Sequence, residues 1–274
     1  MPGGVRGPRR ISARAARRVS LNGHRHRLVE ACARPGCPVC GCLREVATRH
    51  LAAVLAEHVT DPLSRARLAE AWGFCAVHAT ALREMPEVAL GTAIVYHALV
   101  ERACRWLDDA ARAVEAPARR RGWRTLVRGG KGSRAPRPRH ARCPVCVELV
   151  AAETGHLDAL LEGLAAPPLG PAYAASDGLC LPHLELALAR GAAGPGPARL
   201  VALTRDKLRA LAEDLRQFVD KHDHRIARPV FTDREAAAWR QALTLVAGRM
   251  ELFGPEMERA SGNGSHPPRA RSRP

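Results

Sequence analysis

Two short cysteine motifs each occur twice in this chain, at nearly the same distance from each other. Cys-Pro-Val-Cys stands at residues 37–40 and 143–146, and a Cys-x-x-His pair follows at residues 75–78 and 180–183. The first motif recurs after 106 residues and the second after 105. Thiolates and imidazoles are ligands that bind Zn²⁺ well, four of them in a tetrahedron. The spacing therefore predicts two Cys3His metal sites.

Each site is expected to close within its own repeat, because the matched spacing would then follow from one duplicated unit. The first predicted ligand set is Cys37, Cys40, Cys75 and His78. The second predicted set is Cys143, Cys146, Cys180 and His183. Two structural zinc ions per chain are the predicted cofactors, since four protein ligands leave no open position for catalysis.

Other interpretations of the same cysteines stay open. They could be buried core residues of a helical fold, although this does not explain the paired histidines. A thioredoxin-like redox pair needs a βαβ setting that the sequence lacks, and iron–sulfur clusters usually take four cysteines. Cys32, Cys42 and Cys104 are left over, and we expect them to be packing or spare thiols. Cys32 and Cys42 flank the first motif and are alternative ligands.

The histidines outside the motifs are expected to be structural. His24 and His26 lie in a basic N-terminal segment and are predicted to be solvated. His50, His58 and His156 lie in helical stretches, where we expect them at the surface or its boundary.

The composition favours an all-α protein. Alanine, leucine and arginine dominate and are good helix formers, whereas alternating β-branched runs are missing. Helices are expected over about residues 43–59, 62–72, 87–114, 143–164, 198–221 and 233–252. Asp61-Pro62 is a typical helix start. Residues 201–218 carry an apolar seam with steps of three and four, and the Pro/Gly-rich stretch 167–171 is predicted to be a loop.

The basic residues are concentrated in segments without acids. Residues 1–29, 116–142 and 260–274 hold 21 of the 43 Lys and Arg residues, which leaves 22 basic against 27 acidic residues elsewhere. We expect these segments to be a disordered arm, linker and tail. The helical repeats are then residues 30–115 and 143–259, two related halves produced by an internal duplication.

No apolar run is long enough to span a bilayer, and no apolar stretch follows the basic N-terminus as in a signal peptide. We therefore expect a cytoplasmic protein without membrane contact. In that compartment its nine cysteines would be reduced thiols that are available for metal.

The two Cys-Pro-Val-Cys pairs, the two Gly-Φ-Cys-x-x-His motifs (Φ apolar) and the stretch Lys221–Arg225 resemble the bacterial proteins grouped as domain of unknown function 6062. The likeness covers about residues 35–255 and includes a Trp-x-x-Ala-Leu run from Trp239 to Gly248. His224 stands where the family pattern has Tyr. The resemblance implies no established activity. The cluster at Lys221–Arg225 is expected to be a helix-end ion network rather than a polar site.

Three functions are compatible with these observations. The first is a zinc-stabilised interaction or regulatory protein without catalysis, binding a protein partner that the sequence does not identify. The second is nonspecific nucleic-acid binding by the Arg-rich arm and linker, through phosphate contacts. The third is a thiol redox protein or metalloenzyme that uses the cysteine clusters. The sequence does not indicate an oligomeric state.

Overall fold

The computed structural model confirms an all-α protein. It describes residues 13–115, 142–190, 194–222, 230–248 and 252–253. Within these ranges the regular structure consists of ten α-helices and one π-helical turn, without a strand. None of the described helices is both long and apolar enough to cross a membrane.

The chain divides into two compact units, each built from separate stretches. The first unit comprises Met1–Val46 and Leu149–Leu252, and the second comprises Ala47–Glu148 and Phe253–Pro274. The division falls inside two helices, α2 (Pro38–Ala52) and α6 (Pro144–Gly163). The compact units therefore do not coincide with the predicted halves 30–115 and 143–259, and the internal duplication stays a prediction.

Besides its parts of α2 and α6, the first unit consists of five helices. They are α1 (Ala13–Cys32), α7 (Leu169–Ala175), α8 (Leu181–Ala189), α9 (Pro195–Asp220) and α10 (Asp233–Ala247). Helix α1 packs on α7, and α10 packs on α8 and α9. The predicted apolar seam of α9 forms the contact with α10, because Leu211 is buried against Ala238 and Leu245 of α10.

Two predictions about the first unit are wrong. Residues 13–29 belong to α1 instead of a disordered arm, because Leu21 and Leu28 bury their side chains. The predicted loop around 167–171 contains the start of α7. Pro171 is compatible with that helix since it lies in the first turn, where no backbone N–H is needed.

In the second unit, the described helices besides α2 and α6 are the π-helical turn Ala53–Glu57, α3 (Pro62–Ala71), α4 (Ala76–Arg83) and α5 (Ala89–Glu115). Asp61 caps α3 as predicted, since its carboxylate accepts a hydrogen bond from the backbone N–H of Ser64 at 2.7 Å. Helix α5 packs on the π-helical turn and on α3. The predicted linker 116–142, except for Arg142, and the tail 260–274 lie outside the described residues.

Candidate metal centres

The first cluster, which we call centre 1, joins Cys37, Cys40, Cys180 and His183 in the first unit. Nδ1 of His183 lies 3.4 Å from Sγ of Cys37, 3.3 Å from Sγ of Cys40 and 3.1 Å from Sγ of Cys180. The Sγ atoms of Cys40 and Cys180 are 3.8 Å apart. All four side chains are buried.

The second cluster, centre 2, joins Cys75, His78, Cys143 and Cys146 in the second unit. Nδ1 of His78 lies 3.2 Å from Sγ of Cys75 and 3.5 Å from Sγ of both Cys143 and Cys146. The Sγ atoms of Cys75 and Cys146 are 3.8 Å apart. Three of the four residues are buried, and Cys75 is partly exposed.

The predicted grouping of the ligands is therefore wrong, although all eight predicted residues lie in the two clusters. Each Cys-Pro-Val-Cys pair meets the Cys-x-x-His pair of the other repeat rather than its own. Matched local spacing cannot distinguish the two arrangements, because an exchange between two similar repeats preserves it.

Each cluster lies where two helices begin. Cys75 and Cys180 are the N-cap residues of α4 and α8, and Cys37 and Cys143 directly precede α2 and α6. The second residue of every pair lies three positions later, in the first helical turn. Two helix N-termini thus direct their positive dipole ends at each set of thiols, which favours the thiolate forms that bind metal.

The distances between donor atoms fit a tetrahedral zinc ion. With Zn–S near 2.3 Å and Zn–N near 2.0 Å, the edges of a tetrahedron are about 3.8 Å between sulfurs and about 3.5 Å between sulfur and nitrogen. The sulfur pairs at 3.8 Å and the sulfur–nitrogen pairs at 3.1–3.5 Å agree with this. Both clusters can therefore hold a metal ion without rearrangement of the backbone.

The thiols of the clusters have strongly shifted pKa values. Hydrogen bonds with Cys146 and Cys75 lower the pKa of Cys143 to about 3. Hydrogen bonds with Cys37 and Cys40 lower the pKa of Cys180 well below its ordinary range, whereas burial raises the pKa of Cys37. Centre 1 thus combines one cysteine whose pKa is lowered with one whose pKa is raised, and binding of a divalent cation would displace protons that remain on its thiols.

The second nitrogen of the histidine differs between the centres. Nε2 of His183 lies 2.9 Å from Oε1 of Glu153, and the His183 side chain is fully buried. Burial lowers the pKa of His183, but hydrogen bonds with Cys180, Cys40 and Glu153 outweigh burial and raise it to about 11. Nε2 of His78 is also buried, yet it has no hydrogen-bond partner among the described residues.

Sequence reasoning missed Glu153, Tyr96 and Tyr173. Glu153 lies between Leu149 and Leu157 on the buried stripe of α6, and a lone acid at that spacing was the available signal. The hydroxyl of Tyr173 accepts a hydrogen bond from the backbone N–H of Leu179 at 3.1 Å. The hydroxyl of Tyr96 likewise accepts one from the N–H of the residue before Cys75.

A cavity of about 370 Å³ lies beside centre 1, within the first unit. Cys37 and Cys180 line it, together with Asp177 and Gln241. The carboxylate of Asp177 accepts hydrogen bonds from the backbone N–H of Gly36 at 2.6 Å and from Nε2 of Gln241 at 3.2 Å. Asp177 therefore ties α10 to the segment that enters the first Cys-Pro-Val-Cys pair.

Helix α10 also approaches centre 1 through Gly248, the last residue of the Trp239–Gly248 run. A Cβ atom on Gly248 would lie 2.5 Å from Sγ of Cys180, and its φ of 46° belongs to the left-handed region. Only a glycine fits at this position without displacing the cysteine.

The remaining cysteines lie outside both clusters, as expected. Cys32 and Cys42 are buried, and Cys104 is exposed. His26 is exposed, in agreement with the prediction. The prediction that His156 lies at the surface or its boundary is wrong. Its side chain is fully buried and packs edge-on against His24, with ring centroids 4.4 Å apart.

His24 is half-buried rather than freely solvated, and this burial lowers its pKa. His50 is half-buried and His58 is exposed, as predicted for a boundary and a surface position.

In the stretch Lys221–Arg225, Nζ of Lys221 donates to both carboxylate oxygens of Glu235, at 2.8 and 2.7 Å. Lys221 therefore takes part in a helix-end ion pair, as expected. Asp223, His224 and Arg225 lie outside the described residues.

Residues 28–251 match the sequence model of a family of unknown function, DUF6062. The match covers more than half of the chain and includes all eight cluster residues. No curated protein and no solved structure matches the chain.

Proposed function

The chain belongs to the family of unknown function DUF6062, and we propose that it is a zinc-binding helical protein with a non-catalytic, interaction or regulatory role. The observation that carries the proposal is the pair of Cys3His clusters. Their sulfur–nitrogen separations of 3.1–3.5 Å and one sulfur–sulfur separation of 3.8 Å in each cluster are those of a zinc tetrahedron.

Zinc is favoured over iron because each cluster offers three sulfurs and one imidazole nitrogen, whereas iron–sulfur clusters usually take four cysteines. A structural role is favoured because four protein ligands fill the coordination sphere of zinc. In each cluster, the zinc ion would crosslink the N-termini of two helices that are far apart in the sequence.

The Arg-rich linker lies outside the described residues, so nucleic-acid binding stays a prediction with no observation in its favour. The same is true of a redox or catalytic role for the cysteines. Cytoplasmic placement also stays a prediction, and with it the reduced state of the thiols that such a compartment implies.

Metal analysis of the purified protein tests the proposal. Protein produced in zinc-containing medium is expected to carry about two zinc ions per chain and to be colourless, because each Cys3His set binds one ion. Replacement by Co²⁺ should produce the intense absorption of tetrahedral cobalt thiolates. The variant Cys104→Ser is the control, since Cys104 is exposed and outside both clusters. Metal-free protein in which all six cluster cysteines react freely would contradict the proposal.

A further inference from the structure

We propose that the two centres are functionally unequal: centre 1 is a permanent structural site, and centre 2 exchanges its metal in response to zinc supply. This inference rests on the proposed function, because it assigns regulation to one of the two metal sites. Two differences between the centres carry it.

The first difference is the carboxylate behind the ligating histidine. In centre 1, Glu153 accepts a hydrogen bond from Nε2 of His183, which leaves Nδ1 to face the three sulfurs. Such a carboxylate fixes the ring orientation and the tautomer and makes the imidazole a stronger donor, and its removal typically costs about 10–100-fold in metal affinity.

In the part of the chain that the structure describes, centre 2 has no such carboxylate. Nε2 of His78 is buried without a hydrogen-bond partner among the described residues, although Nδ1 faces its sulfurs at similar distances. When metal occupies Nδ1, Nε2 must carry the proton, and a buried N–H without an acceptor is costly. Metal binding at centre 2 therefore includes a penalty that centre 1 avoids.

The sequence shows the same difference between the two Cys-Pro-Val-Cys helices. Glu153 comes ten residues after Cys143, and the same count from Cys37 reaches Ala47. The acid is thus present in one copy of the helix and missing from the other.

The second difference is exposure. Cys75 of centre 2 is partly exposed, whereas the four residues of centre 1 are buried. Cys37 and Cys180 of centre 1 line a cavity, so rates of chelation alone would not separate the centres. Equilibrium affinity does separate them, because it does not depend on the route.

Loss of metal from centre 2 has a defined structural consequence. The centre joins the start of α4 to the start of α6, so loss of the ion would remove the crosslink between these two helix ends. An exchangeable centre 2 would make the packing of the second unit depend on free zinc, while centre 1 preserves the first unit.

Equilibrium competition on the full-length zinc-loaded protein tests this inference. The protein is equilibrated with chelators of graded zinc affinity, alkylated with N-ethylmaleimide, and mapped by mass spectrometry. We expect Cys75, Cys143 and Cys146 to become labelled at free zinc concentrations at least about 10-fold higher than Cys37, Cys40 and Cys180. Cys104 is the internal standard for full labelling, since it is exposed.

The variant Glu153→Gln should shift labelling of centre 1 toward that of centre 2 by about 10-fold or more, and Glu153→Asp should recover part of the loss. Glu162→Gln is the matched control, because Glu162 is exposed on the same helix and belongs to neither cluster. The wild-type measurement is decisive even if the Glu153 variants do not fold.

Simultaneous release of both metals, or earlier release from centre 1, would overturn the inference and leave the proposed function intact. Full labelling of all six cluster cysteines before any chelator is added would instead mean that the proposed function is wrong.

Discussion

The hydroxyl oxygen of Tyr173 accepts a hydrogen bond from the backbone N–H of Leu179, the residue before Cys180. The hydroxyl of Tyr96 accepts the corresponding bond from Phe74, the residue before Cys75, at 3.4 Å. The chain has only two tyrosines, and each fixes the backbone that enters a Cys-x-x-His helix. Tyr173 precedes its cysteine in the sequence and Tyr96 follows its own, so a simple duplication did not place them.

Replacement of Tyr173 by Phe should destabilise the protein. Tyr173 is fully buried, so the variant leaves the N–H of Leu179 without its acceptor, at a cost of about 1–3 kcal/mol. Urea unfolding of the zinc-loaded protein measures this. Tyr96→Phe is the comparison and should cost less, because that hydrogen bond is longer and Tyr96 is only half-buried. Equal stability of Tyr173→Phe and wild type would show that the hydrogen bond contributes nothing.

Single cysteine variants should reveal the exchanged grouping of the ligands. In Cys75→Ser, we expect alkylation of Cys143 and Cys146 while Cys37 and Cys40 stay protected, because the broken centre is centre 2. Cys180→Ser should give the opposite pattern. Mass spectrometry of the labelled peptides distinguishes the two results. Labelling of Cys37 and Cys40 in Cys75→Ser would mean that each metal site is formed within its own repeat.

Metal removal should lower the melting temperature, since the free energy of binding at a structural zinc site is part of the free energy of folding. Calorimetry with and without chelator measures the change, and re-addition of zinc should reverse it. An unchanged melting temperature after verified loss of both metals would mean that the metals do not contribute to stability and that the helical core alone sustains the fold.

Gly91→Ala should disrupt the contact between α5 and the π-helical turn. A Cβ atom on Gly91 would lie 1.9 Å from the carbonyl oxygen of Leu55, which cannot be accommodated without movement of the backbone. Overpacking of this kind costs about 1–3 kcal/mol, measurable as a lower urea midpoint.

Gly23→Ala is the matched control within an exposed part of α1. A Cβ atom there meets nothing within 4 Å, and alanine is the better helix former by about 1 kcal/mol. The two substitutions should therefore shift stability in opposite directions, and a stabilised Gly91→Ala would mean that α5 and the π-helical turn are not in close contact.

The ion pair between Lys221 and Glu235 should make stability depend on pH. The hydrogen bond from Lys221 and that from the backbone of Thr232 lower the pKa of Glu235 below its ordinary 4.5. A lowered carboxyl pKa stabilises the fold fully above the ordinary value, and the contribution is lost as pH falls through the lower folded value.

Glu235→Gln should thus be less stable than wild type at neutral pH, with the difference shrinking as the pH is lowered below 4.5. Unfolding midpoints over a pH series test this, with Glu70→Gln as the control for a change in net charge. A difference between wild type and Glu235→Gln that stays constant with pH would exclude a contribution from ionisation.

The helical class, the N-cap at Asp61 and the eight cluster residues could be predicted from the sequence, because each leaves a local pattern. The partner of each cysteine pair could not. The interval from Cys37 to Cys75 nearly equals that from Cys143 to Cys180, and only tertiary packing selects which pairs meet.

Helix α1 was missed for a related reason. Its arginines and alanines suggest a solvated arm. The helix is anchored by two buried leucines, Leu21 and Leu28, and their burial depends on tertiary packing such as that of α1 on α7. The same applies to His156, whose burial depends on the approach of His24 from α1.

The exchanged grouping also sets an order of assembly on the ribosome. The ligands of centre 2 lie between residues 75 and 146, inside the interval from 37 to 183 that centre 1 must close. All ligands of centre 2 have left the ribosome once residue 146 has emerged, whereas centre 1 is incomplete until His183 has emerged. The first ligand thiols to be synthesised therefore belong to the site that is completed last, and they stay without a full ligand set until residue 183 has emerged.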